Sequence, residues 1–233
     1  HPGASYLHAG QSWRVVDLDL EGRTATIEAD DGGTYTVART DVAIRVTDCD
    51  ARRLVGAVEV GLGPVEVHQQ VTGYQRKDAM TGESLGVVAL DLPRSTLTTR
   101  AFWYHVPEAL LTAAGVDRRA APGALHAAEH AGIGVLPLFT ICDRWDVGGV
   151  STLHQPDIGG PAIVIYDGYQ GGAGVAELGY ESADRHVRTT ADVIEACPCA
   201  DGCPSCVQSP KCGNGNEPLD KAGAVSLLEA MLG

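Results

Sequence analysis

Five of the chain's seven cysteines fall inside the sixteen residues Cys197-Pro-Cys-Ala-Asp-Gly-Cys-Pro-Ser-Cys-Val-Gln-Ser-Pro-Lys-Cys212, spaced C-x-C-x3-C-x2-C-x5-C. Sulfurs this dense cannot all be ordinary core side chains. The prolines and the glycine between them exclude helix and strand. A loop with so little apolar content cannot offset its own ordering entropy. Metal binding can supply that free energy, and soft thiolates select zinc or an iron–sulfur cluster. A tetrahedral site takes four of them.

Two sets of four are open. Cys203 and Cys206 form a C-P-x-C turn that presents two sulfurs to one ion, and Cys197 with Cys199 reaches the same ion from a C-x-C step. This favoured set leaves Cys212 over. The rival set drops Cys197 for Cys212, where Gly213 allows a tight turn. Either set implies a structural zinc with every position taken by sulfur and none open to water. An iron–sulfur cluster accepts the same ligation. A disulfide-bonded knot is disfavoured by the odd number of cysteines and the lack of an export segment.

The words CPCADGCPSCVQSPKCGNGNEPLDKAGA resemble the C-terminal zinc-binding module of the MrfA/SftH-type superfamily II DNA helicases, a family related to the Hrq-type RecQ-like helicases. The resemblance continues upstream in HPGASYLHAG, VTGYQRK, LPRSTLTTRAFWYHVP, LHAAEHA, DRWDVGGVSTLH and IYDGYQGGAGVAELGYE, and so covers nearly the whole chain. It implies an accessory region of an ATP-dependent 3′→5′ DNA helicase acting in DNA repair. The implied partners are the motor domains of the same parent chain, DNA in the full-length protein, and a repair protein. ATP and Mg2+ would belong to the motor domains. Neither a G-x-x-x-x-G-K-[ST] phosphate loop nor an acidic Walker-B-like tetrad occurs here. The chain opens on His-Pro rather than Met and reads as the C-terminal portion of a longer helicase, not catalytic alone. No apolar run approaches a membrane span and no signal peptide opens the chain, so a cytoplasmic, nucleoid-associated location is expected.

A formal charge of −13 repels phosphodiester backbones, so this piece alone should bind nucleic acid weakly. Aromatic content of 5% offers few stacking platforms. The acidic balance also suits a protein–protein docking module. Arg76, Lys77, Arg94 and Arg100 are the densest basic group. They read as edge charges that discourage sheet aggregation, with a local phosphate contact as the functional alternative.

The pattern predicts an α+β chain: a β-rich platform over 1–95, then a helical and β zinc-binding part over 96–233, with the metal loop 197–212 between two helices. Period-two alternation predicts strands at Ser12–Leu20 and Thr24–Glu28, and Asp30–Gly33 predicts a turn into Thr34–Val37. Val42–Val46, Val65–Tyr74, Leu85–Leu90 and Thr96–Val106 read as further strands. Helices are predicted after Pro107 and Pro122, over 183–196, and over Leu219–Leu232. Pro161–Tyr166 is continuously apolar, as a strand buried on both faces would be.

Two motifs remain. His126-Ala-Ala-Glu129-His130 is a literal H-x-x-E-H, which would put two imidazoles and a base on one helix face as in a zinc hydrolase. The plainer reading is a polar cluster bonded to Asp143 and Asp146. Asp167–Gly174 is a glycine-rich strand-to-helix turn able to cradle phosphate. It lacks the following Lys-Ser/Thr, and close backbone packing is the favoured explanation.

Overall fold

The computed structural model describes all 233 residues, His1–Gly233. The chain is mixed α/β and forms two compact units that interleave in sequence, His1–Asp41 with Gln69–Ser95, and Val42–His68 with Thr96–Gly233. A single boundary at residue 95 is therefore replaced by an exchange of segments. Val42–His68 belongs to the larger unit because its apolar residues are core: Val58, Val60, Val65 and Val67 are all 0% exposed.

In the smaller unit, β1 (Ser5–His8), β2 (Gln11–Asp19) and β3 (Thr24–Ala29) form an antiparallel sheet in chain order. Asp19 closes the β2–β3 turn by accepting the Gly22 N–H at 2.8 Å. Gly32, at φ +74°, supplies the left-handed step of the expected turn into β4 (Thr34–Val46). The two short strands expected at 34–37 and 42–46 are one. Polar residues between them broke the alternation without breaking the extended backbone.

β6 (Val58–Asp78) is 21 residues long, and like β4 it contributes residues to both units. Its end pairs with β7 (Ser84–Ala89), from Gly73 opposite Ala89 to Lys77 opposite Ser84. In the larger unit, β5 (Ala51–Val55) pairs with the start of β6. The sheet runs β4-β6-β8-β10-β9, where β8 is Ser95–His105, β9 is Val147–Gln155 and β10 is Gly160–Asp167. β10 is interior and antiparallel to both neighbours. Its alternate residues feed two clusters. Ile163 and Ile165 join Phe102 and Tyr104 in one, while Ala162, Val164 and Tyr166 join Ala101 and Trp103 in the other. Burial on both faces accounts for its unbroken apolar run.

The first cluster also takes the helices. They are α1 (Glu108–Ala113), α2 (Ala121–Val135), α3 (Val175–Glu181), α4 (Ala183–Ala196) and α5 (Lys221–Leu232). Pro122 sits in the first turn of α2, where its missing N–H costs nothing. Leu125, Ile194 and Leu227, all 0% exposed, bring α2, α4 and α5 into this core. Each such side chain contributes about 2 kcal/mol by leaving water. His186 of α4 ties this packing together. Its Nε2–H donates to the Gly132 carbonyl of α2 at 2.8 Å, and its Nδ1 accepts from the Tyr104 hydroxyl of β8 at 2.8 Å. Burial pushes this imidazole down to about 4, so it is neutral. No helix is long and apolar enough to cross a membrane.

Candidate metal centre

Helix α4 ends at Ala196 because Cys197 turns extended, at φ −75° and ψ 122°. The chain then folds back through Cys206, and all four sulfurs of Cys197, Cys199, Cys203 and Cys206 lie within 4.8 Å of one another. Cys197 Sγ is 3.6 Å from Cys199 Sγ and 3.5 Å from Cys203 Sγ, while Cys206 Sγ is 3.5 Å from Cys199 and 3.8 Å from Cys203. Four sulfurs at about 2.3 Å from one tetrahedral zinc stand about 3.8 Å apart. The donor set therefore fits such an ion in number, chemistry and size. Left to themselves the thiols diverge. The Ser205 N–H brings Cys203 down to about 7, and burial pushes Cys206 up to about 12. Four thiolates this close repel one another, and only a cation at their centre lets all four ionise.

The loop is held from outside. Lys221, the first residue of α5, donates from Nζ to the carbonyls of Cys197 and Cys199, each at 2.6 Å. Asp220 caps α5 by accepting the Gly223 N–H at 2.8 Å. Asn216 clasps Ser209 twice, accepting its N–H at 2.7 Å and donating to its carbonyl at 3.1 Å. Lys211 Nζ reaches the carbonyls of Arg144 and Val147 at 3.0 and 2.6 Å. The sequence reading gave none of these four residues a role, although the N-G-N-x-x-L-D-K spacing around Asn216, Asp220 and Lys221 is the signal that carries three of them.

Cys212 is not in the four-sulfur group. Its Sγ lies 3.5 Å from His126 Nε2, in a second cluster with His130. Burial opposes ionisation there, yet the His126 and His130 rings and the Asn216 and Asn214 N–H groups bring this thiol down to about 5. The expected bonds from His126, Glu129 and His130 to Asp143 and Asp146 do not form. His126 Nδ1 donates instead to the Pro218 carbonyl at 2.9 Å, and His130 Nδ1 to the Val207 carbonyl at 2.8 Å. Burial raises the Glu129 carboxyl, and the nearby Ser151 of β9 works against that rise. Asp146 bonds to the Tyr169 hydroxyl at 2.6 Å and to the Asp143 N–H at 2.6 Å. The local motif was visible, but its partners lie 77 and 92 residues away in sequence.

The glycine-rich turn after β10 is filled by the chain itself. Asp167, 0% exposed, accepts the N–H groups of Ala173, Val175 and Ala176, the last at 2.8 Å. A side chain at Gly172 would collide with Arg100. Of the basic group, Arg76, Lys77 and Arg94 lie in the smaller unit, and Arg100 lies in the larger. Arg100 is already committed, to Asp50 at 2.5 Å and Glu177 at 2.8 Å.

A family model described as "MrfA Zn-binding domain" matches residues 128–207. The "Uncharacterized ATP-dependent helicase YprA" of Bacillus subtilis is 30% identical over 89% of this chain and 27% of its own length. An uncharacterized protein of Methanocaldococcus jannaschii is 41% identical over 46% of this chain and 99% of itself. The fission-yeast ATP-dependent helicase hrq1 is 26% identical over the whole of this chain and 23% of its own length. The crystal structure of the helicase MrfA bound to DNA superposes with a TM-score of 0.63 at 27% identity, over 98% of this chain and 30% of that one. The chain spans about a quarter of the length of the helicase relatives it matches. Together with the four-sulfur loop between α4 and α5, these likenesses place the chain in the MrfA Zn-binding-domain family of MrfA-type helicases.

Proposed function

We propose that this chain is the structural zinc-binding accessory region of an ATP-dependent 3′→5′ DNA helicase acting in DNA repair. Cys197, Cys199, Cys203 and Cys206 would hold the zinc. The observation that carries the reading is the convergence of these four sulfurs at separations a single tetrahedral ion requires. The ion supplies charge neutralisation and a rigid four-way crosslink. The residues do the rest: Lys221 holds the C-x-C carbonyls to α5, and Asn216 closes the loop behind Cys206.

The helicase relatives and the DNA-bound MrfA structure support ATP- and Mg2+-using motor domains of the same parent chain, and DNA, as partners. With a net charge of −13, this region acts by bracing the motor rather than as a general DNA track. Any phosphate contact rests on Arg76, Lys77 and Arg94, since Arg100 is ion-paired within the fold. The test is Cys203→Ser in the full-length parent. Zinc content should fall by about one ion per chain, and unwinding should fall more than single-strand affinity does. Full zinc retention, or equal losses of affinity and unwinding, would defeat this reading.

A further inference from the structure

We propose that His126 Nε2, His130 Nε2 and Cys212 Sγ bind a second divalent zinc-class ion, separate from the four-cysteine centre. The three donor atoms lie within 4.8 Å of one another, with the sulfur 3.5 Å from His126 Nε2. One imidazole nitrogen and one thiolate on the same tetrahedral zinc stand about 3.6 Å apart. His126 and His130 are four residues apart on α2, so the helix sets their rings edge to face on one side, with centroids 4.2 Å apart.

The tautomers point the same way. Each ring spends its Nδ1–H on a backbone carbonyl, Pro218 for His126 and Val207 for His130. Both Nε2 lone pairs are thereby left aimed into the cluster. A metal-bound histidine is oriented by just such a bond from its other nitrogen. The sulfur is prepared as well, since the Asn216 N–H donates to it at 3.2 Å. A nucleophilic cysteine needs one imidazole as its base. Two fixed lone pairs converging on one sulfur form a ligand set.

Three protein donors leave one position for water, the usual form of an open site. Glu129 does not serve that position as a base. Its carboxyl packs on the β9 side of α2, where a side chain at Gly149 would meet it. The ion is therefore a brace. It joins α2 to the chain between Cys206 and α5, and the loop that begins at Cys197 is fastened at both ends.

The experiment uses the full chain saturated with Zn2+ and freed of excess. About two zinc ions per chain are expected in the wild type and about one in Cys212→Ala. Cys203→Ser should lose the other ion, so failure of the four-cysteine assignment and failure of this proposal read out separately. Zinc-edge X-ray absorption of the wild type should show imidazole nitrogen beside sulfur, and the nitrogen signal should disappear in Cys212→Ala. One zinc in a sulfur-only shell in the wild type overturns the proposal, even if a variant fails to fold. Alkylation of Cys212 by iodoacetamide at equal rates in zinc-saturated and chelator-treated protein overturns it too, and marks the cluster as a thiolate–imidazolium pair.

Discussion

Two loops of the larger unit face the same electrostatic problem and solve it in opposite ways. After β10, a glycine-rich turn gathers backbone N–H groups, and the chain supplies its own anion, the buried Asp167 carboxylate. After α4, the cysteine loop gathers four sulfurs at 3.5–3.8 Å, and Lys221 spends its charge on the carbonyls rather than on the sulfurs. One loop is complete when the chain has folded. The other gathers four donors whose geometry an ion from solution would complete. His186 shows a third solution, a buried base that stays neutral between Tyr104 and Gly132.

The largest expected effect comes from removing the ion. Stripping the metal, or Cys203→Ser, should cost more than about 4 kcal/mol. The thermal midpoint of the larger unit should fall by about 10 °C, and protease should gain access around 197–220. If a chelator leaves the midpoint and the cleavage pattern unchanged, the two loops are equally self-sufficient and the contrast fails.

Acid is the next lever. His186 sits near 4 in the fold against an ordinary value of 6.5. Below about 6.5 the unfolded chain takes up a proton that the folded chain refuses. The stability His186 contributes is complete above 6.5 and is lost as pH falls towards 4, by about 3 kcal/mol in all. His186→Gln should flatten this part of the stability–pH curve. An unchanged slope between pH 6.5 and 4 would show that His186 is not sealed in.

Asp167→Asn sharpens the comparison from the other side. The variant keeps one acceptor oxygen but loses the charge, and about 2 kcal/mol should go with it. Zinc content should not change. Tight binding of a nucleotide or of inorganic phosphate by the wild type would show that the turn still has room for an outside anion.

Lys221→Met should have the smallest effect. The four sulfurs remain, and zinc affinity should weaken by about tenfold through loss of the support behind Cys197 and Cys199. A competition titration against a coloured chelator measures this directly. Unchanged affinity would show that the loop holds its own shape.

What could be read in advance follows from how local each cause is. The grouping of Cys197, Cys199, Cys203 and Cys206 lay in their spacing, because all four donors fall within ten residues. β10 was legible because burial on both faces writes itself as an apolar run. β9 is absent from the predicted strands because Gly148-Gly149 interrupt its pattern. Those glycines lie within a strand because the Tyr166 ring and the Glu129 side chain occupy the space their side chains would need. The partners of His126 and His130 were illegible for a different reason. A carbonyl acceptor is present at every residue, so no side-chain pattern marks Val207 or Pro218 as the one used.

The interleaving of the two units bears on how the chain is made. The Ala57 N–H donates to the Met231 carbonyl at 2.9 Å, joining the turn between β5 and β6 to the last turn of α5. Residues 69–95 of the smaller unit are synthesised between these two segments. A ribosome therefore releases the start of the larger unit's sheet long before the helix that covers it exists. Closing so long a loop is slow, and the apolar face of β6 stays uncovered meanwhile. The larger unit should complete its folding only once α5 has been synthesised, and until then its uncovered sheet is exposed to wrong pairing.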